Sequence, residues 1–300
     1  MPIRRTMGRI IVVIAVLALA ACGPGAAPPT SPSSEIPVLG AENFYADLLT
    51  QIGGARVNAS SILNDPSADP HSYEASPAAA KLVADAKLVI VNGIGYDSFM
   101  DNLLAASTKP DRVVINVQDL LGLKDDVNVH VWYDPATMPK VADAVTTALA
   151  KLDPQNAGYF TAQKAKYLDA LKPLNDKIVA LKSKYAGAPI GFTENVAGYL
   201  TDAIGLKVLT PASFMEAIES GTDPAPADVA AERDLLTEHK VRALLYNSQV
   251  TSPLTEQIRA LAVSSNLPVV PVAETIPPQF KTFQEWQLAQ LDDLEKALSK

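Results

Sequence analysis

Ser76-Pro77-Ala-Ala-Ala-Lys-Leu-Val-Ala-Asp-Ala-Lys-Leu88-Val-Ile-Val91-Asn92-Gly93 decides the fold class. Serine before proline is a helix start: the hydroxyl caps the first turn, and proline at the first helical position has no N–H to waste. The helix predicted there runs to about Ala86. Leu88 to Val91 is then apolar without alternation, and Asn92-Gly93 stops it. A strand with no polar face has both faces covered. Helix followed by such a strand is the mark of a parallel sheet packed between helices.

The same alternation extends in both directions. Upstream, Ile36–Leu39 reads as a strand, about 41–52 as a helix stopped by Gly53-Gly54, and Arg56–Ile62 as a strand. Downstream follow a helix over about 97–106, a strand at Val113–Val117, a strand-like Val127-Asn-Val-His-Val131, and a helix from Pro135 to Leu152 behind Asp134. Residues 155–184 differ: Phe160, Tyr167, Leu171, Leu174, Ile178 and Leu181 recur at helical spacing, and Pro173 should kink that helix. Alternation then resumes with strands at 190–193, 207–210, 242–246 and 269–273, and helices near 195–204, 227–239, 253–264 and 280–298. The expected fold is α/β: two lobes, each with a mostly parallel sheet flanked by helices, joined by one long central helix. The boundaries are 36–153 for the N-terminal lobe, 154–186 for the joining helix and 187–300 for the C-terminal lobe. The hydrophobic content of 48% is enough for such a core, and ligands favour the cleft between two lobes.

The N-terminus reads as an export signal over residues 1–21. Arg4, Arg5 and Arg9 precede an apolar run from Ile10 to Ala21, which is short for a bilayer core of roughly 30 Å and fits a secretory segment. It ends in Leu19-Ala20-Ala21-Cys22-Gly23, similar to a bacterial lipobox. Cys22 is the single cysteine, so no internal disulfide can form, and lipidation of Cys22 accounts for a lone thiol outside the cytoplasm. Residues 22–35, rich in Pro, Ser and Gly, read as a disordered tether to the membrane. Net charge is −8 and becomes more negative once the three arginines are removed. That argues against a nucleic-acid partner and is compatible with a cation ligand.

Two of the three histidines sit in matched settings. His71 lies in Asp69-Pro70-His71-Ser72-Tyr73-Glu74, and His130 in His130-Val131-Trp132-Tyr133-Asp134-Pro135. Each has an Asp-Pro pair beside it, which opposes helix and favours turn or extended backbone. On spacing alone they are either metal ligands or polar loop residues. His239, in Glu238-His239-Lys240 at a predicted helix end, is read as a helix C-terminal residue.

Taken together, the lipobox, Ile52-Gly53-Gly54, Asp69-Pro70-His71-x-Tyr73-Glu74, Lys87-to-Gly93, His130-x-Trp132-x-Asp134-Pro135 and the central helix resemble the metal-binding receptors of bacterial ABC importers, the zinc/manganese-type solute-binding family. The resemblance implies a four-residue site with two ligands from each lobe. His71 and His130 match the N-terminal pair. Glu194, in Gly191-Phe192-Thr193-Glu194-Asn195, matches the third, where many zinc receptors carry histidine. Glu274, after Leu267–Ala273, matches a carboxylate that is normally aspartate. The histidine-rich loop of many zinc importers is missing from 120–129. All four residues lie where a predicted strand ends, which is where open parallel sheets bind ligands. Glu194 is also expected at a helix N-terminus, favouring the ionised carboxylate.

The ligand so implied is a divalent transition metal: manganese, zinc or ferrous iron, leaning to manganese because the set is rich in oxygen. The implied partners are an ABC permease and its ATPase, with the receptor a lipid-anchored extracytoplasmic monomer that performs no catalysis. Two other classes stay open on sequence. One is a receptor for a small organic solute, with Tyr73, Trp132 and Tyr199 as stacking surfaces. The other is an envelope metalloenzyme, disfavoured by the lack of a His-Glu-x-x-His motif.

Overall fold

The computed structural model describes residues 1–2, 35–65 and 73–300. Nearly all of the predicted signal segment and tether, with Cys22 and His71, lie outside the described residues. Residues 34–300 form one compact unit.

The N-terminal lobe runs β1 (Ile36–Glu42), α1 (Asn43–Gly53), β2 (Val57–Leu63), α2 (Pro77–Asp85), β3 (Leu88–Val91), α3 (Phe99–Ala106), β4 (Val113–Asn116), α4 (Val117–Leu121) and α5 (Thr137–Leu152). Ser76 begins α2 as expected: its backbone is extended and its hydroxyl accepts from Ala79 N at 3.2 Å. All four residues of β3 are buried, the outcome of its unbroken apolar run. The order is β2-β1-β3-β4 and every pairing is parallel.

Two helices, α6 (Ala157–Ala170) and α7 (Lys172–Tyr185), join the lobes where the sequence suggests one kinked helix. They meet at Leu171. Pro173 cannot donate to the carbonyl one turn back, and its ring crowds that carbonyl, so the helix is interrupted there. The C-terminal lobe runs β5 (Pro189–Phe192), α8 (Gly198–Ile204), β6 (Lys207–Val208), α9 (Ala212–Glu219), α10 (Pro226–Thr237), β7 (Leu244–Asn247), α11 (Pro253–Ser264), β8 (Val269–Val272) and α12 (Phe283–Leu298). Its order, β6-β5-β7-β8, repeats the first sheet's, again wholly parallel.

In both sheets the chain reverses its direction of strand addition beside the first strand. The crevices at those switch points, β1/β3 and β5/β7, are where such sheets bind ligands. One buried apolar cluster spans both sheets and includes Phe44, Trp132, Phe160, Phe192, Phe214 and Trp286. Phe44 stacks on Trp132 at 4.5 Å between ring centroids, and burial of each such side chain contributes about 1.5–3 kcal/mol.

Polar contacts lock the lobes further. Tyr133 donates its hydroxyl toward Ala273 O at 2.6 Å. Asn43 bonds the Ile276 backbone twice. Asp47 accepts from Phe283 N at 2.9 Å, which holds the start of α12 on α1. Burial pushes the Asp47 carboxyl up to about 6. Lobes welded this way favour local loop shifts over a wide hinge. Among the described residues no helix is long and apolar enough to cross a membrane.

Candidate metal centre

His130, Glu194 and Glu274 converge between the lobes. Each is fully buried, and one ligand atom from each lies within 4.8 Å of the others. His130 Nε2 stands 3.4 Å from Glu274 Oε2 and 3.9 Å from Glu194 Oε1. Chain separation is large, so only the fold brings them together. Glu194 follows β5 and Glu274 follows β8, each two residues beyond the strand's carboxyl end.

His130 is placed differently from the expectation. No strand precedes it: residues 127–130 are irregular, and His130 leads into a single 3-10 turn over Val131–Tyr133. Val131, Trp132 and Tyr133 are buried in the core without any sheet partner. Asn128 fixes the ring. Its Nδ2 donates to Asn195 O at 2.7 Å, so its Oδ1 is an acceptor. That Oδ1 takes His130 N at 3.0 Å and stands 2.8 Å from Nδ1. The ring proton therefore sits on Nδ1, and Nε2 turns its lone pair toward the carboxylates, as a metal-binding imidazole requires.

Glu194 is not at a helix N-terminus as expected. It lies in a bend, and α8 begins only at Gly198. Its carboxylate is held by a side chain that sequence reasoning misses. Asn247, the last residue of β7, donates Nδ2 to Glu194 Oε2 and to Glu274 Oε1, both at 2.7 Å. Asn247 is itself pinned, its N–H donating to Thr193 Oγ1 and its Oδ1 accepting from Gln249 N. Gln249 Oε1 in turn accepts from the backbone N–H of Glu274 and Thr275.

Tyr96 is the second residue that sequence reasoning misses. Its hydroxyl donates to Glu274 Oε2 at 2.9 Å across the lobe interface. Burial and the nearby Glu274, Glu42 and Glu194 carboxylates push this hydroxyl well above its ordinary range, so it remains a donor. The loop presenting it is strained: Ile94 has φ 58° between Gly93 and Gly95, both at 78°. A β-branched residue in the left-handed region is unfavourable and persists only where its surroundings demand it. Here the Asp97 carboxylate gathers the Asn92 and Gly93 N–H groups, and Gln118 Oε1 accepts from Ile94 N.

A cleft of about 330 Å³ lies beside the cluster, lined by Asp126, Asn128, Asn195, Glu216 and Glu219 among others. Of these, Asn128 holds the His130 ring and Asn195 follows Glu194 in the chain. Its acidic rim raises the local concentration of cations. His71 and Cys22 lie outside the described residues. His239 stands away from the cluster, in the left-handed conformation just past α10. Two buried carboxylates facing an imidazole repel each other strongly in a low-dielectric interior, and a dication bound between them removes that cost.

A family model described as zinc-uptake complex component A, periplasmic, matches residues 38–297. The manganese-binding lipoprotein MntA of Halalkalibacterium halodurans is 26% identical over 247 residues, 79% of this chain and 80% of that relative. The high-affinity zinc uptake system protein ZnuA of Bacillus subtilis is 23% identical over 222 residues, 66% of this chain and 68% of that relative. The periplasmic zinc binding protein TroA from Treponema pallidum superposes with a TM-score of 0.74 at 18% identity, over 89% of this chain and 100% of that one. At that identity the superposition speaks for the shared two-lobe fold.

Proposed function

The chain belongs to the family of the periplasmic component A of zinc-uptake complexes, and from that premise we propose that it captures a divalent transition-metal ion between its lobes and hands it to an ABC permease and its ATPase. The cargo is manganese, zinc or ferrous iron. The proposed ligands are His71, His130, Glu194 and Glu274. The observation that carries this reading is the convergence of an imidazole and two carboxylates, fully buried, from both lobes onto one point. The protein is proposed to act outside the cytoplasm as a monomer, held at the membrane through lipid on Cys22. Four protein ligands close a metal site and leave no position for activated water, so binding and release, not catalysis, is the proposed activity. An organic solute fits less well: Trp132, one of the aromatics available for stacking, is only 1% exposed and is packed on Phe44.

Calorimetric titration of chelator-stripped protein with zinc and with manganese tests the reading. One ion per chain is expected. Affinity should fall at least about tenfold between pH 7.5 and 5.5, because imidazole ligands bind only in the neutral form. Saturation by neither metal would sink the proposal.

A further inference from the structure

Asn247 sits at the β5/β7 switch point, fully buried, with one amide nitrogen bonded to both carboxylates. The consequence is geometric. Glu194 gives Oε2 to the amide, and its Oε1 is the oxygen 3.9 Å from His130 Nε2. Glu274 gives Oε1 to the amide, and its Oε2 is the oxygen 3.4 Å from the same nitrogen. Each carboxylate thus has one oxygen turned to the imidazole and the other tied to a donor that is itself fixed through its backbone N–H and its Oδ1. Tyr96 also donates to Glu274 Oε2, and that oxygen keeps a second lone pair for the ion. A bidentate carboxylate must in addition turn its other oxygen to the ion, and here that oxygen is held toward a fixed amide by a short hydrogen bond in a buried site.

Metals differ in how much this matters. Zinc is satisfied by four ligands in a tetrahedron. Manganese favours oxygen-rich, six-coordinate surroundings, which two imidazoles and two carboxylates supply only if the carboxylates bind through both oxygens. We infer that Asn247 is a positioning residue that confines Glu194 and Glu274 to one coordinating oxygen each and so tilts the site from manganese toward zinc. This rests on the reading of these groups as metal ligands. It also runs against the lean to manganese that the oxygen-rich ligand set alone suggests.

The test compares zinc and manganese affinities, each measured by competition with a chelating dye, for the full protein, Asn247→Ala and Asn247→Ser. Loss of an outer hydrogen bond to a metal ligand costs about 10–100-fold in affinity. For Asn247→Ala that loss is expected for zinc, while manganese, gaining access to the second oxygens, weakens less or not at all. The zinc-over-manganese preference therefore falls about tenfold or more. Asn247→Ser keeps a hydroxyl donor and should give an intermediate preference. Both metals weakening by the same factor, so that the preference is unchanged, overturns the inference while leaving the metal-receptor reading in place. Should Asn247→Ala fail to fold, the Asn247→Ser preference decides alone: a shift supports the inference and an unchanged ratio overturns it. Wild-type protein that binds neither ion overturns the receptor reading, and this inference with it.

Discussion

His130→Ala is expected to weaken zinc binding by more than about a hundredfold, a larger loss than the 10–100-fold typical of removing a ligand's outer partner. The ring supplies the one imidazole nitrogen among the described residues that faces both Glu194 and Glu274. Asn128 cannot substitute for it, being committed to positioning the ring and to bridging onto Asn195. The variant leaves the two buried carboxylates without the imidazole that faces them. His239→Ala is the matched control. That residue lies past α10, away from the cluster, and its loss should leave affinity within about twofold, or some 0.4 kcal/mol. Dye competition reads both variants. An affinity for His130→Ala within threefold of wild type would remove His130 from the site.

Glu232→Gln is expected to stabilise the protein at alkaline pH by about 2 kcal/mol and to do little near pH 4. Glu232 lies on α10, fully buried, and faces Thr210 and the backbone of β5. A Cβ at Gly191 would stand 3.4 Å from its Oε1 and 3.3 Å from Thr210 Oγ1, which shows how closely the helix rides on the strand. Burial pushes this carboxyl from 4.5 up to about 7. The folded state therefore holds a proton that the unfolded chain gives up. Stability is fully present below the unfolded value, is lost as pH rises through the window from 4.5 to about 7, and stays reduced above it. Each tenfold change in proton affinity corresponds to about 1.4 kcal/mol, so the full difference has a ceiling of about 3 kcal/mol, reduced by the glutamine's own buried amide. At roughly 2–4 °C per kcal/mol for a chain of this size, the variant should melt several degrees higher at pH 8 and nearly together with wild type at pH 4.5. Equal changes in melting temperature at both pH values would refute the assignment.

What the sequence reveals, and what it conceals, follows from how far each cause reaches along the chain. Leu88–Val91 and Pro253–Ser264 are legible to the residue, because an all-apolar strand and a serine–proline start are local causes. Val127–Val131 misleads for the converse reason. Its alternation is real, but it comes from packing against the core, with no neighbouring strand to pair with. The sequence suggests too early a start for α8, and it gives no clear mark of α9, because Ala212–Glu219 is short and follows Pro211. Glu194 and Glu274 are reached through family resemblance, and their predicted positions just past strand ends hold. Asn247 is out of reach: its partners lie 53 and 27 residues away, and an asparagine closing a strand has no signature of its own. Tyr96 has only the hint of two glycines around Ile94.

A metal ion seated between the lobes on His130, Glu194 and Glu274 would be seen outright by anomalous diffraction. Crystals of the zinc-loaded protein, with data collected on either side of the zinc edge, supply the measurement. A single strong peak is expected within coordination distance, about 2.0–2.2 Å, of His130 Nε2, Glu194 Oε1 and Glu274 Oε2. Zinc found only on exposed carboxylates, with no peak between the lobes, would contradict that placement.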